Sequence, residues 1–155
     1  MSTLAEVARE ADRAVVDARA RLARAVREAS AAGMTQQQIA REIGRSQPEV
    51  SRLLRFHGTS PLGRTLRAHR SDVLRIIEAS GGRNVRVFGS VAEGEDGAES
   101  DVDLLFTKGD QLGLMELSRM ELQLRDLLGV EVDLVPESSI RPGLRDQVLA
   151  RAVPL

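Results

Sequence analysis

Cysteine, tryptophan and tyrosine are absent from this 155-residue chain, and its aromatic residues are three phenylalanines. Without cysteine there is no disulfide, no thiolate-ligated zinc and no thiol nucleophile. With so few aromatics, Leu, Val and Ala must fill the interior, and an apolar content of 42% suffices for a core. No apolar run approaches the roughly 18 residues of a membrane span. The N-terminus is charged and alanine-rich, unlike a signal peptide. A cytoplasmic protein with no membrane association is therefore expected. His57 and His69 have no partner at metal-ligand spacing and read as surface residues. The length allows one ordinary domain or two small ones.

Charge is divided unevenly along the chain. Residues 1–80 hold 14 arginines against 9 acids, whereas residues 81–155 hold 8 basic and 14 acidic residues. A basic half followed by an acidic half fits contact with a polyanion in the first and metal-dependent chemistry in the second.

The basic half opens with a helical pattern over residues 3–32. Leu4, Ala8, Ala11, Val15, Ala18, Leu22, Ala25 and Ala29 recur in steps of four and three, a heptad stripe. Such a helix is about 45 Å long, more than a three-helix domain requires. The stripe fits either the seam of a homodimer or packing on the chain's own helices. Two short helices with capping signals follow: Thr35 with Gln38, and Ser46 with Glu49. Pro48 sits in the first turn of the second, and Gly44 lies between them. The segment Gln36–Arg55 resembles the helix-turn-helix of bacterial transcription regulators, through Ala40, Gly44, Val50, Leu53 and the phrase Ser46-Gln47-Pro48-Glu49-Val50-Ser51-Arg52. That resemblance implies DNA binding. Gln47, Ser51 and Arg52 would face base edges and phosphates, with Arg45 and Arg55 on the phosphates. The expected domains are an all-α unit over 1–58 and a second domain over 62–155, joined by a linker at His57-Gly58-Thr59-Ser60-Pro61.

The acidic half carries the chemistry. Val85-Arg86-Val87-Phe88 reads as a short strand and leads into Gly89-Ser90; ten residues later comes Asp101-Val102-Asp103, at the head of the apolar run Leu104-Leu105-Phe106. Glycine permits a sharp turn and a close backbone approach. Ser90 offers a hydroxyl and an N–H where a helix begins. Two aspartates two apart on a strand face the same side. Convergent carboxylates beside a phosphate cradle suit Mg²⁺ carrying a nucleoside triphosphate. Downstream, one helix is expected over Leu112–Leu128, a strand over Val130–Val135 and a final helix over Arg141–Val153. Upstream, a single helix is expected over Pro61–Ala79. The fold class is α+β: helical first domain, then a small mixed sheet flanked by helices.

This Gly-Ser/Asp-x-Asp pattern resembles the minimal nucleotidyltransferases (MNT) of the DNA polymerase beta-like superfamily, and especially bacterial antitoxin-type members. The resemblance implies a third aspartate on the strand after the following helix, which singles out Asp133, with Glu131 beside it on the same face. It also implies roles. Gly89 and Ser90 would hold the triphosphate; Asp101, Asp103 and Asp133 would be both catalytic and metal-binding; ATP would be the substrate and Mg²⁺ the cofactor. One departure stands out. Similar enzymes often carry arginine a few residues after the Gly-Ser pair, where this chain has Glu93, followed by Glu95, Asp96 and Glu99. Three functions follow as expectations. One is an antitoxin-like protein nucleotidyltransferase that transfers AMP to a hydroxyl of a partner toxin (HEPN-type or other) and binds its own operator DNA. The second is a DNA-binding antitoxin whose nucleotidyltransferase fold only binds protein. The third is a small-molecule nucleotidyltransferase.

Overall fold

The computed structural model describes residues 1–155, which divide into two compact units, Met1–Leu54 and Arg55–Leu155. The first is all-helical. Helix α1 (Leu4–Ala31) starts from a capping box in which Thr3 Oγ1 accepts the Glu6 amide and the Glu6 carboxylate accepts the Thr3 amide. Helices α2 (Gln36–Ile43) and α3 (Gln47–Leu53) start from Thr35 and Ser46 caps. The turn between them passes through Gly44 at φ 66°, a left-handed conformation that glycine adopts without strain. Val26, Ile39, Ala40 and Val50 form the buried core, with Leu22, Met34, Ile43 and Leu53 packed around it. Only the C-terminal third of α1 takes part. Residues 1–19 are all exposed, so the heptad stripe meets its own unit from Leu22 onward and is uncovered before that.

The second unit is a four-stranded mixed sheet with helices. Its elements are α4 (Pro61–Ala68), α5 (Arg70–Ala79), β1 (Arg83–Phe88), α6 (Gly89–Glu93), β2 (Val102–Thr107), α7 (Leu114–Leu128), β3 (Val132–Pro136), a 3₁₀ turn (Glu137–Ser139), α8 (Pro142–Arg151) and β4 (Val153–Pro154). Strand order is β3-β2-β1-β4. β1 is antiparallel to both β2 and β4, while β2 and β3 are parallel and joined through α7. A parallel pair needs such a crossover, and a helix supplies it. Strand alternation turns Val102, Leu104 and Phe106 of β2, with Val132 and Leu134 of β3, onto one face. There they join Leu66, Val73, Ile77, Met120 and Leu124 from α4, α5 and α7 in a single core. Asp103 and Asp133 fall on the other face.

Two elements differ from the sequence reading. The expected helix over 61–79 is two helices, broken at His69 (φ −101°, ψ 14°). The expected final helix ends at Arg151, and Val153 instead pairs with Val87 as a short edge strand.

Candidate active site

Register brings the sequence motif together. Phe88, the last residue of β1, pairs with Asp103, and Asp103 pairs across the parallel ladder with Asp133. Gly89 therefore leaves β1 next to Asp103, and the two aspartates sit side by side on adjacent strands about 4.8 Å apart. Gly89 has φ +71°, and a Cβ built on it would lie 2.3 Å from Asp103 Oδ2. Two requirements meet there: a left-handed backbone, and room for a carboxylate against the main chain. Only glycine satisfies both without displacing the aspartate. α6 begins at once, with no side chain capping its N-terminus. Ser90 is half-buried in its first turn, Val91 and Ala92 are buried, and Gly94 closes the helix in the left-handed region.

Asp103 is half-buried, whereas Asp101 and Asp133 are exposed. Burial first, then the charges of Asp133 and Asp101, push the Asp103 carboxyl up from 3.8 to about 6. Each cause penalises the ionised form. Asp103 thus feels both neighbouring carboxylates, and oxygen donors whose repulsion a cation would relieve fit a hard divalent ion such as Mg²⁺. Their side chains are close enough to interact by charge but are not drawn into a ligand cluster, since no three His, Cys, Asp or Glu side chains in the chain form one.

Neighbouring acids have other duties. Glu131, the alternative third carboxylate, precedes β3 and is held by Arg125 Nη1 at 2.9 and 3.2 Å. Asp96 Oδ2 accepts the Leu62 amide at 3.0 Å, capping α4, so this acid of the loop after α6 is structural. Glu93 is half-buried. A second charged group lies at the far end of the sheet and has no local sequence signal. Arg86 Nη2 and Arg145 Nη2 donate to the two oxygens of Glu137 at 2.6 and 2.7 Å. The Arg86 hydrogen bond and charge, with Arg145 behind it, hold the Glu137 carboxyl below the usual range. Thr107, Lys108, Glu137 and Arg145 border a concavity of about 370 Å³. Thr107 is four residues along β2 from Asp103, about 13 Å away, so this concavity does not contain the aspartates.

In the first unit, Arg45, Gln47 and Arg52 are exposed around the start and outer side of α3, and Ser51 is half-buried. Gln47 Nε2 donates to Gln36 Oε1 at 3.0 Å, bridging α2 and α3. Arg55, also exposed, is the first residue of the second unit.

Comparison with known proteins places these features in a family context. The model of the nucleotidyltransferase domain family matches residues 67–155. A candidate protein adenylyltransferase of Methanocaldococcus jannaschii is 36% identical over 81 residues, 52% of this chain and 87% of that protein. The protein adenylyltransferase MntA of Thermococcus cleftensis is 38% identical over 88 residues, 57% of this chain and 86% of its own. The solved structure of a candidate minimal nucleotidyltransferase superposes with a TM-score of 0.56 at 48% identity, over 59% of this chain and 94% of that one. No helix of the chain is long and apolar enough to cross a membrane.

Proposed function

This chain belongs to the nucleotidyltransferase domain family, and from that premise we propose that it transfers AMP from ATP to a hydroxyl of a partner protein. The observation that carries the reading is the placement of Gly89, just past the end of β1, beside Asp103 on β2, which in turn pairs with Asp133 on β3. The relatives named protein adenylyltransferases support a protein acceptor. The antitoxin-type resemblance makes that partner a toxin.

In this reading the uncapped turn at Gly89 and Ser90 receives the terminal phosphates, because free amides at a helix start favour anions. Asp101, Asp103 and Asp133 hold Mg²⁺, which when bound supplies positive charge to the triphosphate. Asp133, exposed and beside Asp103, accepts the proton of the acceptor hydroxyl and releases it to solvent. The acceptor oxygen then forms a bond to the α-phosphorus while the bond to pyrophosphate breaks. Burial of Asp103 fixes its carboxylate on the sheet, so the negative charge is positioned before substrate arrives. The exposed arginines of α3 and its approach, Arg45 and Arg52, together with Gln47, Ser51 and Arg55, bind operator DNA.

The test is transfer of label from ATP carrying ³²P at the α-phosphate, with Mg²⁺, in the presence of the co-expressed neighbouring gene product. Label on that protein supports the proposal. Label only on small metabolites favours a small-molecule enzyme, and no transfer with any acceptor overturns the activity. A second reading, protein binding without catalysis, is favoured by one residue. Glu93 stands in α6, where similar nucleotidyltransferases often carry a cation, and an anion there opposes the triphosphate. If Glu93→Arg restores transfer that the natural chain lacks, the second reading holds.

A further inference from the structure

We infer that the exposed N-terminal part of α1 is covered by a second copy of this chain, the two α1 helices pairing antiparallel in one defined register. The surface belongs wholly to the first unit. Leu4, Val7, Val15 and Val16 are 87%, 50%, 49% and 64% exposed on α1, an apolar overhang with nothing of its own unit against it. Beyond it the same stripe forms the wall of an apolar groove of about 160 Å³, between Leu22, Ala25 and Ala29 on one side and Met34 and Ile43 on the other. Leu4 and Val15 of the overhang lie on the same helix face as the groove residues Leu22 and Ala29, with Val7 at its edge and Val16 off it. A helix cannot fold its own overhang back onto its own groove, whereas a second copy running the opposite way can place one on the other.

Size and charge select the arrangement. In an antiparallel pair whose two-fold axis falls between Val16 and Asp17, Leu4 meets Ala29 of the second copy, Ala11 meets Leu22 and Val15 meets Ala18. A large residue thus faces a small one at each of these layers. Ala8 and Ala25 meet in the remaining layer. The flanking e positions bring Asp12 opposite Arg19, twice by symmetry. Sliding by one heptad in one direction sets Asp12 against Asp12. Sliding in the other sets Arg19 against Arg19 and Arg21 against Arg21. A parallel in-register pair stacks alanine on alanine at five layers and forms no opposite-charge flanking pair. Only the first arrangement satisfies packing and charge together, and like charges directly opposed cost a wrong register several-fold in affinity.

The register also fixes the spacing of the α2–α3 hairpins. Val26, in the hairpin core, and Ala29, at its edge, would be separated from their symmetry mates by about 29 and 38 Å along the helix axis, at 1.5 Å per residue. That range brackets the roughly 34 Å between half-sites one DNA turn apart. This consequence rests on the DNA-binding reading above; the dimer does not.

Because the chain has no cysteine, cross-linking has no background. Ala8→Cys and Ala25→Cys chains, mixed and oxidised, should give a heterodimeric disulfide, and neither alone should cross-link to itself. Self-cross-linking of Ala8→Cys would mean a parallel pair and would overturn the proposal. A monomer at 100 µM or so by sedimentation equilibrium, with no cross-link, would overturn it equally. As a readout free of new cysteines, Asp12→Arg should weaken dimerisation at least several-fold, and the exchange Asp12→Arg with Arg19→Asp should restore it. Failure of the exchange to restore it removes the register. Operator binding is measured separately, so a dimer that binds no DNA leaves this inference standing and removes the other.

Discussion

Replacing Asp103 by asparagine should stabilise the fold while removing activity. The Asp103 carboxyl is raised from 3.8 to about 6, chiefly by burial and then by Asp133 and Asp101. Between those pH values the folded chain binds a proton that the unfolded chain has already lost. Stability therefore falls as pH rises through this window, and the loss is complete above about 6. At 1.36 kcal/mol per pH unit the ceiling is about 3 kcal/mol. Asp103 is only half-buried, and solvent screening reduces the expected effect to about 1 kcal/mol. An asparagine side chain keeps the shape of the aspartate and removes its charge. The variant should thus melt about 4–8 °C higher at pH 7.5, and the advantage should vanish below pH 4. The chain has neither Trp nor Tyr, so far-UV circular dichroism or calorimetry is the assay. Glu137 acts oppositely: its carboxyl is lowered by Arg86, so its contribution is lost as pH falls. That term is common to both chains and cancels in the difference. An Asp103→Asn chain that is less stable at neutral pH, or a difference that does not change with pH, would refute the electrostatic account. Lost AMP transfer in a chain shown to be more stable could not be blamed on unfolding.

Gly89→Ala should cost about 1–2 kcal/mol in stability for the left-handed backbone. Its new methyl must push the Asp103 carboxylate aside, so transfer should fall at least 100-fold, far beyond the change in melting temperature. Asp133→Asn should lower turnover by about 100-fold or more while ATP-analogue affinity, read by calorimetry, changes less; an unchanged rate removes Asp133 as the base. Arg52→Ala should lose about 1–3 kcal/mol of discrimination between operator and random DNA in gel shifts if it reads a guanine. Arg55→Ala should weaken both DNAs alike and lower the salt slope if it meets phosphate.

The motif was legible because its parts are local. Glycine at a strand end, aspartates two apart, and an aspartate between Val132 and Leu134 each announce themselves by spacing and alternation. What joins them is register, a property of long-range pairing that no single segment encodes. Other features left no local trace. The stripe of Leu66, Val73 and Ile77 keeps helical spacing through His69, and neither Gly nor Pro marks the break there. Val153-Pro154 is too short to show alternation and becomes a strand only because β1 offers an open edge. Arg86 and Arg145 lie 51 and 8 residues from Glu137. Asp96 looks like one more charge in an acidic loop until its bond to the Leu62 amide shows it spent as a cap.

The two ends of the sheet face that carries Asp103 make opposite electrostatic choices. At one end Glu137 is bound through both oxygens by arginines, so its charge is neutralised within the fold. At the other, burial and then the charges of Asp133 and Asp101 penalise the Asp103 carboxylate, and no arginine in the structure binds it. A fold under selection for stability alone would treat both ends like the first, since a charge penalised by burial costs about 1 kcal/mol or more when left uncompensated. The glycine at position 89 deepens the contrast, giving up backbone stability to let the Asp103 carboxylate lie against the main chain. A left-handed glycine after β1 beside an uncompensated carboxylate on β2 is consistent with the proposed site, where a bound cation would supply the missing counter-charge.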